Sequence, residues 1–488
     1  MSQYTVTTPK TRTATRLVAT TCTALLALGT AVGANVTSAA ADEQFVDSAL
    51  YDGGKARVNR SAELRTLAEA NASASCRLDA DIGPDTAKSD LLLARDNFDA
   101  IIAGLRNGDP ALGMPTPETR ARTLRQISAT ADIWMPMEDA ANRMLNGTGS
   151  AQDAALINQS YSDLSEQTTV LAAEVSGQYS NPIELLQSDA TVLNFAVRQR
   201  ELAFRMTRAL CELATGTGDD ETFEELKGSV ELFELSLVAL RDGFPEVGIQ
   251  PPPNDAVKNS LIQTYDVWQS GQSIFDDTLA GQTPDAEDVI ASVALAKDLS
   301  VEMQNAITLY LIATPGQEGV YRVPLEAYAD SELSTWLDNP ELIAAIKAQN
   351  ARHAGLSEDE VIALDQQWRA EAGDGGGPLI SELLEHPVSA WLRGQQNATA
   401  GFVTEVFIMD DKGLNVAQSV ETSDYWQGDE AKWQETYLVG PDALHISEVE
   451  FDDSTGFYQS QASISIKDPA TGEVIGAVTF GVNVQNLM

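Results

Sequence analysis

Basic residues, histidine and cysteine are all scarce in this sequence, and each shortage removes a class of function. The 31 Lys and Arg face 72 Asp and Glu, a net charge of −41. A surface so acidic repels nucleic acid and anionic lipid, so neither is an expected partner. The acids are spread along the chain rather than gathered in a tail, as in a solubility adaptation of an exported protein. The three histidines, His353, His386 and His445, lie in different predicted elements. No HExxH, CxxC, phosphate-binding loop, GxSxG or calcium-loop spacing is present. With no metal-ligand cluster and no nucleophile–base pair, no metal and no cofactor is expected, and the chain is not read as an enzyme. Asp452 and Asp453, near Asp468, are turn residues by default. Beyond the N-terminal segment no apolar run could cross a membrane, since residues 307–313 are far too few.

Export is legible at the start. Arg12 and Arg16 precede an apolar run over 17–32, and Ser38-Ala39-Ala40-Ala41 offers small residues before Asp42. This pattern predicts a signal peptide over 1–41, cleaved near Ala41, and a periplasmic or secreted protein. A retained N-terminal anchor is the alternative. Ala19-Thr20-Thr21 before Cys22 is a poor lipoprotein box, and there is no twin arginine. Cleavage removes Lys10, Arg12 and Arg16 and no acids, so 31 basic residues become 28 against 72 acids, a net −44.

The remaining chain is organised around residues 193–211, LNFAVRQRELAFRMTRALC, because this stretch repeats the sequence 135 positions earlier. Arg200 lies over Arg65, Leu202 over Leu67, Ala203 over Ala68, Ala209 over Ala74 and Cys211 over Cys76. The register continues with Phe233 over Phe98, Gly243 over Gly108, Pro245 over Pro110 and Gly248 over Gly113. After one deletion Trp268 lies over Trp134. Such a period marks a duplicated domain. Helices are predicted near 58–78, 86–107, 117–146 and 151–176, giving antiparallel four-helix bundles over 44–180 and 181–315. Gly108 is expected as a left-handed helix cap. Pro117 and Pro252 are expected to open the next helix of each copy, and the matched tryptophans to be core rather than a ligand cage. The cysteines left after cleavage, Cys76 and Cys211, occupy equivalent positions. In an oxidising compartment they form a candidate disulfide, against two separate buried thiols.

At about 100° per residue, Arg200 projects from the apolar half of its helix, between Val197 and Phe204. A buried guanidinium stays charged and needs a partner. Arg65 has Glu69 four residues on, whereas Arg200 has Phe204 there. Arg200 either pairs with a carboxylate of another helix or belongs to a small anion site. LNFAVRQRELAFRMTRA resembles the signature helix of PilJ-type domains, the extracytoplasmic N-terminal module of type IV pilus methyl-accepting transducers. Those domains are similar to the helical sensor domains of nitrate/nitrite kinases, whose signature arginine binds the anion. The resemblance therefore implies anion binding by Arg200. The first copy departs from it, with Glu69-Ala70-Asn71 in place of Phe204-Arg205-Met206. A transducer of this family continues through a membrane helix into a signalling coiled coil. The sequence ends at Met488 without them, so a signal would pass to a partner, a membrane transducer or a pilus protein.

From residue 318 the character changes. Helices are predicted over 331–351, 357–372 and 379–400, then the period falls to two. Strands follow over 401–409, 414–419, 448–451, 457–466 and 474–484, an α+β, PAS-like domain with a five-stranded antiparallel sheet. VFIMDDKGLNVAQS, TSDYWQGDEAKW, DDSTGFYQSQASISIKD and GEVIGAVTFGVNV resemble a Cache sensor domain over 320–488. The resemblance implies a pocket between the sheet and the long segment after the second strand. That segment carries Asp424, Tyr425, Trp426, Trp433 and Tyr437, with Asp452 as the facing acid. Trp433 is expected to anchor in the core. Aromatic walls with carboxylates suit an amino acid, an amine or a polar metabolite. The chain is thus read as mainly α with an α+β C-terminus, an extracytoplasmic small-molecule-sensing protein. The alternative is a non-enzymatic structural or interaction factor of the envelope or of type IV pili, and a solute-capture protein for a transporter is a third reading.

Overall fold

In the computed structural model, the residues described are 52–179, 187–313, 319, 321–399, 401–452 and 457–487. The expected signal segment and Asp453 lie outside them. The expected class holds: four long helices, four more in a second module, then helices and an antiparallel sheet.

The first module comprises α1 (Gly54–Asp79), α2 (Pro84–Asn107), α3 (Ala121–Leu145) and α4 (Ala151–Tyr179). The second comprises α5 (Gln187–Thr215), α6 (Asp220–Asp242), α7 (Asp255–Gly271), the single turn α8 (Asp276–Leu279) and α9 (Ala286–Ala313). α1 packs against α2, α4 and α5, and α5 against α1, α6 and α9. The two repeated helices thus meet each other at the centre. This placement explains the sequence of α1, which is rich in Ala and Ser and buried around nearly its whole circumference. Small side chains let three neighbours approach it at once.

The duplication is visible in backbone angles. α2 ends at Gly108 with φ 80° and ψ 151°, and α6 at Gly243 with φ 84° and ψ 149°. Each is followed by a one-turn 3-10 helix opened by proline, then by a second glycine, Gly113 or Gly248, at φ 70° or 87°. Isolated bridges Asp109–Met114 and Phe244–Ile249 close both loops. Gly108 is therefore not the left-handed helical cap expected of it, because its ψ is extended; only glycine adopts that combination freely. The prolines also differ from expectation, since α3 and α7 begin at Ala121 and Asp255. After Pro117 the Glu118 carboxylate accepts the Thr119 and Arg120 N–H groups at 2.8 and 2.7 Å, which holds the chain in a turn. After Pro252, Asn254 caps α7 by accepting from Val257 N–H. Trp134 stacks on Phe98 with centroids 4.2 Å apart, and Trp268 lies 4.6 Å from Phe233. Both indoles are buried core, not a cage.

The C-terminal part begins with α10 (Arg322–Ser331), α11 (Pro340–His353), α12 (Glu358–Gly373), α13 (Pro378–Leu384) and α14 (Pro387–Ala398). The single helices expected over 331–351 and 379–400 are each broken, at Pro340 and Pro387. Both prolines sit in a first turn, where a missing N–H is harmless, with Asn339 and His386 as caps. The strands are β1 (Val403–Met409), β2 (Asn415–Gln418), β3 (Leu444–Ile446), β4 (Glu450–Asp452), β5 (Phe457–Lys467) and β6 (Val474–Asn483). Their order is β2-β1-β6-β5-β3, with β4 also on β5. Six strands stand where five were expected because one edge is split. Ser447 interrupts it: its Oγ accepts the Gln461 N–H while its own N–H bonds the Gln461 carbonyl. One short helix, α15 (Ala431–Gln434), lies in the segment between β2 and β3.

One face of the sheet, including Val406, Ile408, Val478 and Phe480, joins the same core as the bundles. Trp336 meets Phe480 edge-on at 5.4 Å. Beyond β6 the buried residues Val484, Gln485 and Leu487 run into the ends of the bundle helices. Arg60 of α1 donates to the Gln485 carbonyl and to Asn486 Oδ1, at 3.3 and 2.9 Å. Gln485 Nε2 donates to Asn305 of α9 at 2.8 Å. The sheet is thereby coupled directly to α1 and α9. Among the described residues no helix is long and apolar enough to cross a membrane.

Candidate functional site

The other face of the sheet is polar, and its centre is built from small side chains. Strand pairing places Glu405, Phe407 and Met409 of β1 beside Gly481, Thr479 and Ala477 of β6, and these beside Gln461, Ser463 and Ser465 of β5. Ser463 and Thr479 hydroxyls bond each other at 2.9 Å. The segment carrying α15 covers the upper end. There Trp433 and Tyr437 stack with centroids 4.9 Å apart over Phe407, Met409 and Ala477. Trp433 Nε1 donates to the Asp410 carbonyl at 3.1 Å, so this indole is an anchor, as expected.

Glu405 is the group that gives this face its chemistry. Its side chain lies across Gly481, where a Cβ would stand 2.6 Å from Glu405 Cγ. Gln461 Nε2 donates to its carboxyl at 3.0 Å. Burial pushes the Glu405 carboxyl above the usual range, against the Gln461 bond and the charge of Lys432, and the charges of Asp452 and Asp424 push it further. Lys432 sits 5.2 Å from the Phe407 ring centroid and pairs with Glu430. The result is a sheet face with one reluctant carboxyl, an amide and hydroxyls beside the stacked Trp433 and Tyr437 rings.

The expected ligand set is only partly assembled here. Asp424 and Asp452 lie near enough to act on Glu405, and Tyr437 is part of the cover. The Asp424 carboxylate, however, already binds Arg369 at 3.1 Å and Gln427 at 2.6 Å. Tyr425 and Trp426 turn away. The Asp365 carboxylate of α12 accepts both their backbone N–H groups, at 3.0 and 3.1 Å, which directs the rings towards that helix. Tyr425 stacks on Trp368 at 5.6 Å within a separate apolar cluster, and Trp426 packs against the same cluster. Trp426 Nε1 donates to the Lys412 carbonyl. Asp424 and Trp426 are thus engaged with α12 and the Lys412 carbonyl and are not brought together over the sheet. Glu405, Gln461 and Lys432 stand on the sheet face instead, and sequence reading singled out none of the three. The available signal was Glu405 itself, the single charge in the strand VTEVFIM.

In the bundles many ionic residues pair across the packed helices. Arg200 donates from Nε to Ser300 at 3.0 Å, from Nη1 to Gln304 at 2.7 Å and from Nη2 to Glu63 at 3.1 Å. These bonds engage Nε and both Nη atoms with neighbouring helices, as expected of an Arg200 paired with a carboxylate of another helix. The local pair expected of Arg65 with Glu69 is also replaced. Arg65 lies 3.5 Å from Glu201, while Glu69 is held by Arg205 at 2.9 Å and Arg208 at 2.8 Å. Face-to-face packing of α1 on α5 brings opposite charges closer across the seam than along either helix. At the far end of that seam Cys76 and Cys211 are joined, with sulfurs 2.13 Å and Cα atoms 6.4 Å apart. The neighbouring cleft of about 1120 Å³ is flanked by Asp79, Glu212, Asp219, Glu221 and Glu225, with Arg208 its one cation. Arg208 is already triply paired.

Glu63 carries a pH prediction. Burial raises its pKa, but Arg60 and Arg200 more than offset this and hold it at about 2, against 4.5 ordinarily. A depressed folded pKa contributes stability above the unfolded value, lost as pH falls through the folded one. Wild type is expected to lose about 3 kcal/mol from this group between pH 4.5 and pH 2. Melting temperatures across that window should fall less steeply for Glu63→Gln; parallel curves would contradict it.

Residues 184–291 match the family model described as PilJ, type IV pili methyl-accepting chemotaxis transducer N-term. No curated protein matches the chain. The sensor domain of the V. cholerae histidine kinase DctB, a crystal structure, is similar at 13% identity with a TM-score of 0.17. That match covers 33% of this chain and 58% of the other, and a likeness of that size says nothing about ligand or partner. The stretch similar to PilJ domains thus falls within the second helical module.

Proposed function

We propose that this chain is an extracytoplasmic small-molecule sensor without enzymatic activity, in which a Cache-like C-terminal domain binds an organic cation, an amine or amino acid, against Glu405. The observation that carries this reading is the half-buried Glu405 carboxyl lying over Gly481 among small polar residues. Partial burial beside the charges of Asp424 and Asp452 makes a carboxylate costly unless a cation meets it, and neighbouring aromatic rings suit an ammonium group. The stretch similar to PilJ domains supports a sensing role, and the run from β6 into α1 and α9 supports transmission to the bundles. From there the signal passes by contact to a membrane transducer or a pilus protein.

The test is calorimetry on the full chain with an amine and amino acid panel. Because the Glu405 pKa is raised, its neutral form dominates until pH climbs through the folded pKa, and a cation must displace a proton. Binding is expected to release protons, to strengthen as pH rises and to weaken at least about tenfold in Glu405→Gln, the loss of one charge-assisted bond. No heat with any amine or amino acid sinks the reading. The second reading, a structural factor of the envelope or type IV pili, is favoured by the internal pairing of Arg200. Co-purification with pilin, with melting unchanged by every solute, selects it.

A further inference from the structure

Two of the three histidines, far apart in sequence, line one cavity on the helix-covered side of the domain. It has a volume of about 470 Å³ and lies between α11, α12, α13 and β2. His353 Nδ1 is 2.9 Å from the Asp410 carboxylate. That carboxylate is itself fixed by Gln349 at 3.0 Å and by the N–H groups of Lys412 and Leu414 at 2.8 and 2.9 Å. A carboxylate so held accepts the Nδ1–H of the neutral ring and orients it, with Nε2 left as an acceptor. His386 uses Nδ1 to accept the Val388 N–H at 3.2 Å, so in the neutral ring the proton sits on Nε2 as a donor. Arg352 adds a guanidinium, bonded to Gln349 Oε1 at 3.0 Å and only loosely to the exposed Glu382, at 3.5 Å. The rest of the wall is aliphatic, including Leu364 and Leu379, apart from Tyr425.

We infer that this cavity is a second ligand site, separate from the Glu405 face, which takes a small carboxylic acid with an aliphatic body. The carboxylate meets Arg352 and the Nε2–H of His386 and competes with Glu382 for the guanidinium. The cavity lies in the size range of small-molecule sites, and an apolar wall with a few convergent donors is their usual make-up. An anion is specified because two donors, the Arg352 guanidinium and the His386 Nε2–H, stand beside one weakly held acid.

Titration of the full chain with hexanoate, and with hexylamine as the charge-reversed control, tests this. Hexanoate is expected to bind saturably at one site and hexylamine not to compete for it. His386→Asn keeps an acceptor for the Val388 N–H but removes Nε2, and should weaken hexanoate at least about tenfold. Glu382→Gln, on the exposed rim, should tighten it several-fold. Glu405→Gln should leave it unchanged, which separates this site from the amine site. The inference is overturned by absence of saturable hexanoate binding, by equal competition from hexylamine, or by hexanoate affinity unmoved in both His386→Asn and Glu382→Gln.

Discussion

Replacing Arg208 with alanine is expected to destabilise the bundles by about 3–5 kcal/mol, the cost of breaking a buried ionic network by removing one partner. The Arg208 side chain is 1% exposed and contacts Glu69 at 2.8 Å, Glu212 at 2.8 Å and Glu225. Its guanidinium also stacks 3.9 Å from the Tyr161 ring centroid. Burial already raises the Glu212 carboxyl despite Arg208, and the Glu225 and Glu69 charges add to this. Without the guanidinium three neighbouring carboxylates repel one another, so the loss should grow as pH rises from 5 to 7. Urea unfolding followed by helical circular dichroism reads both effects. A pH-independent loss under 1 kcal/mol contradicts the buried network and matches an exposed pair. Arg208→Met combined with Glu69→Leu should recover part of the loss, because it removes charge from both sides of the seam.

The second large effect belongs to the covalent link. Cys76 and Cys211 close a loop with a sequence separation of 135 residues. Constraining the unfolded chain over that length stabilises by about 5 kcal/mol in the chain-entropy description. Reduction, or Cys76→Ser with Cys211→Ser, should therefore lower the bundle transition markedly while leaving amine binding at Glu405 in place. Thermal melts with and without reductant, beside the double serine variant, measure it. Identical transitions in all three samples contradict the link. The two effects should exceed their sum when combined, since both act on the same seam between α1 and α5 and neighbouring sites are not additive.

What could be read without coordinates was what repeats or what is local. The Gly-x-Pro-x-x-Gly spacing at 108–113 and 243–248 announced a duplicated loop, and both copies adopt one backbone course. The period-two strands and their acidic turns located most of the sheet. Errors arose wherever a side chain had a choice of distant partners. Arg200 had many acids to choose from in a chain with 72, and α1–α5 packing selected Glu63. Trp426 belonged by sequence with the segment over the sheet, yet Asp365, sixty-one residues away, turns it to α12. β3 went unseen because three residues, Leu-His-Ile, carry too little period to register.

By itself the sequence determined the class of each module, the duplication, the positions of the cysteines and the alternation that gives each strand two faces. Tertiary structure alone decided that Glu405 lies over Gly481, that His353 and His386 share one cavity, and that acids of α1 pair with arginines of α5. The reason is physical. Periodicity and turn chemistry act over a few residues, whereas the partner of a buried charge is set by whichever element packing brings within hydrogen-bond reach.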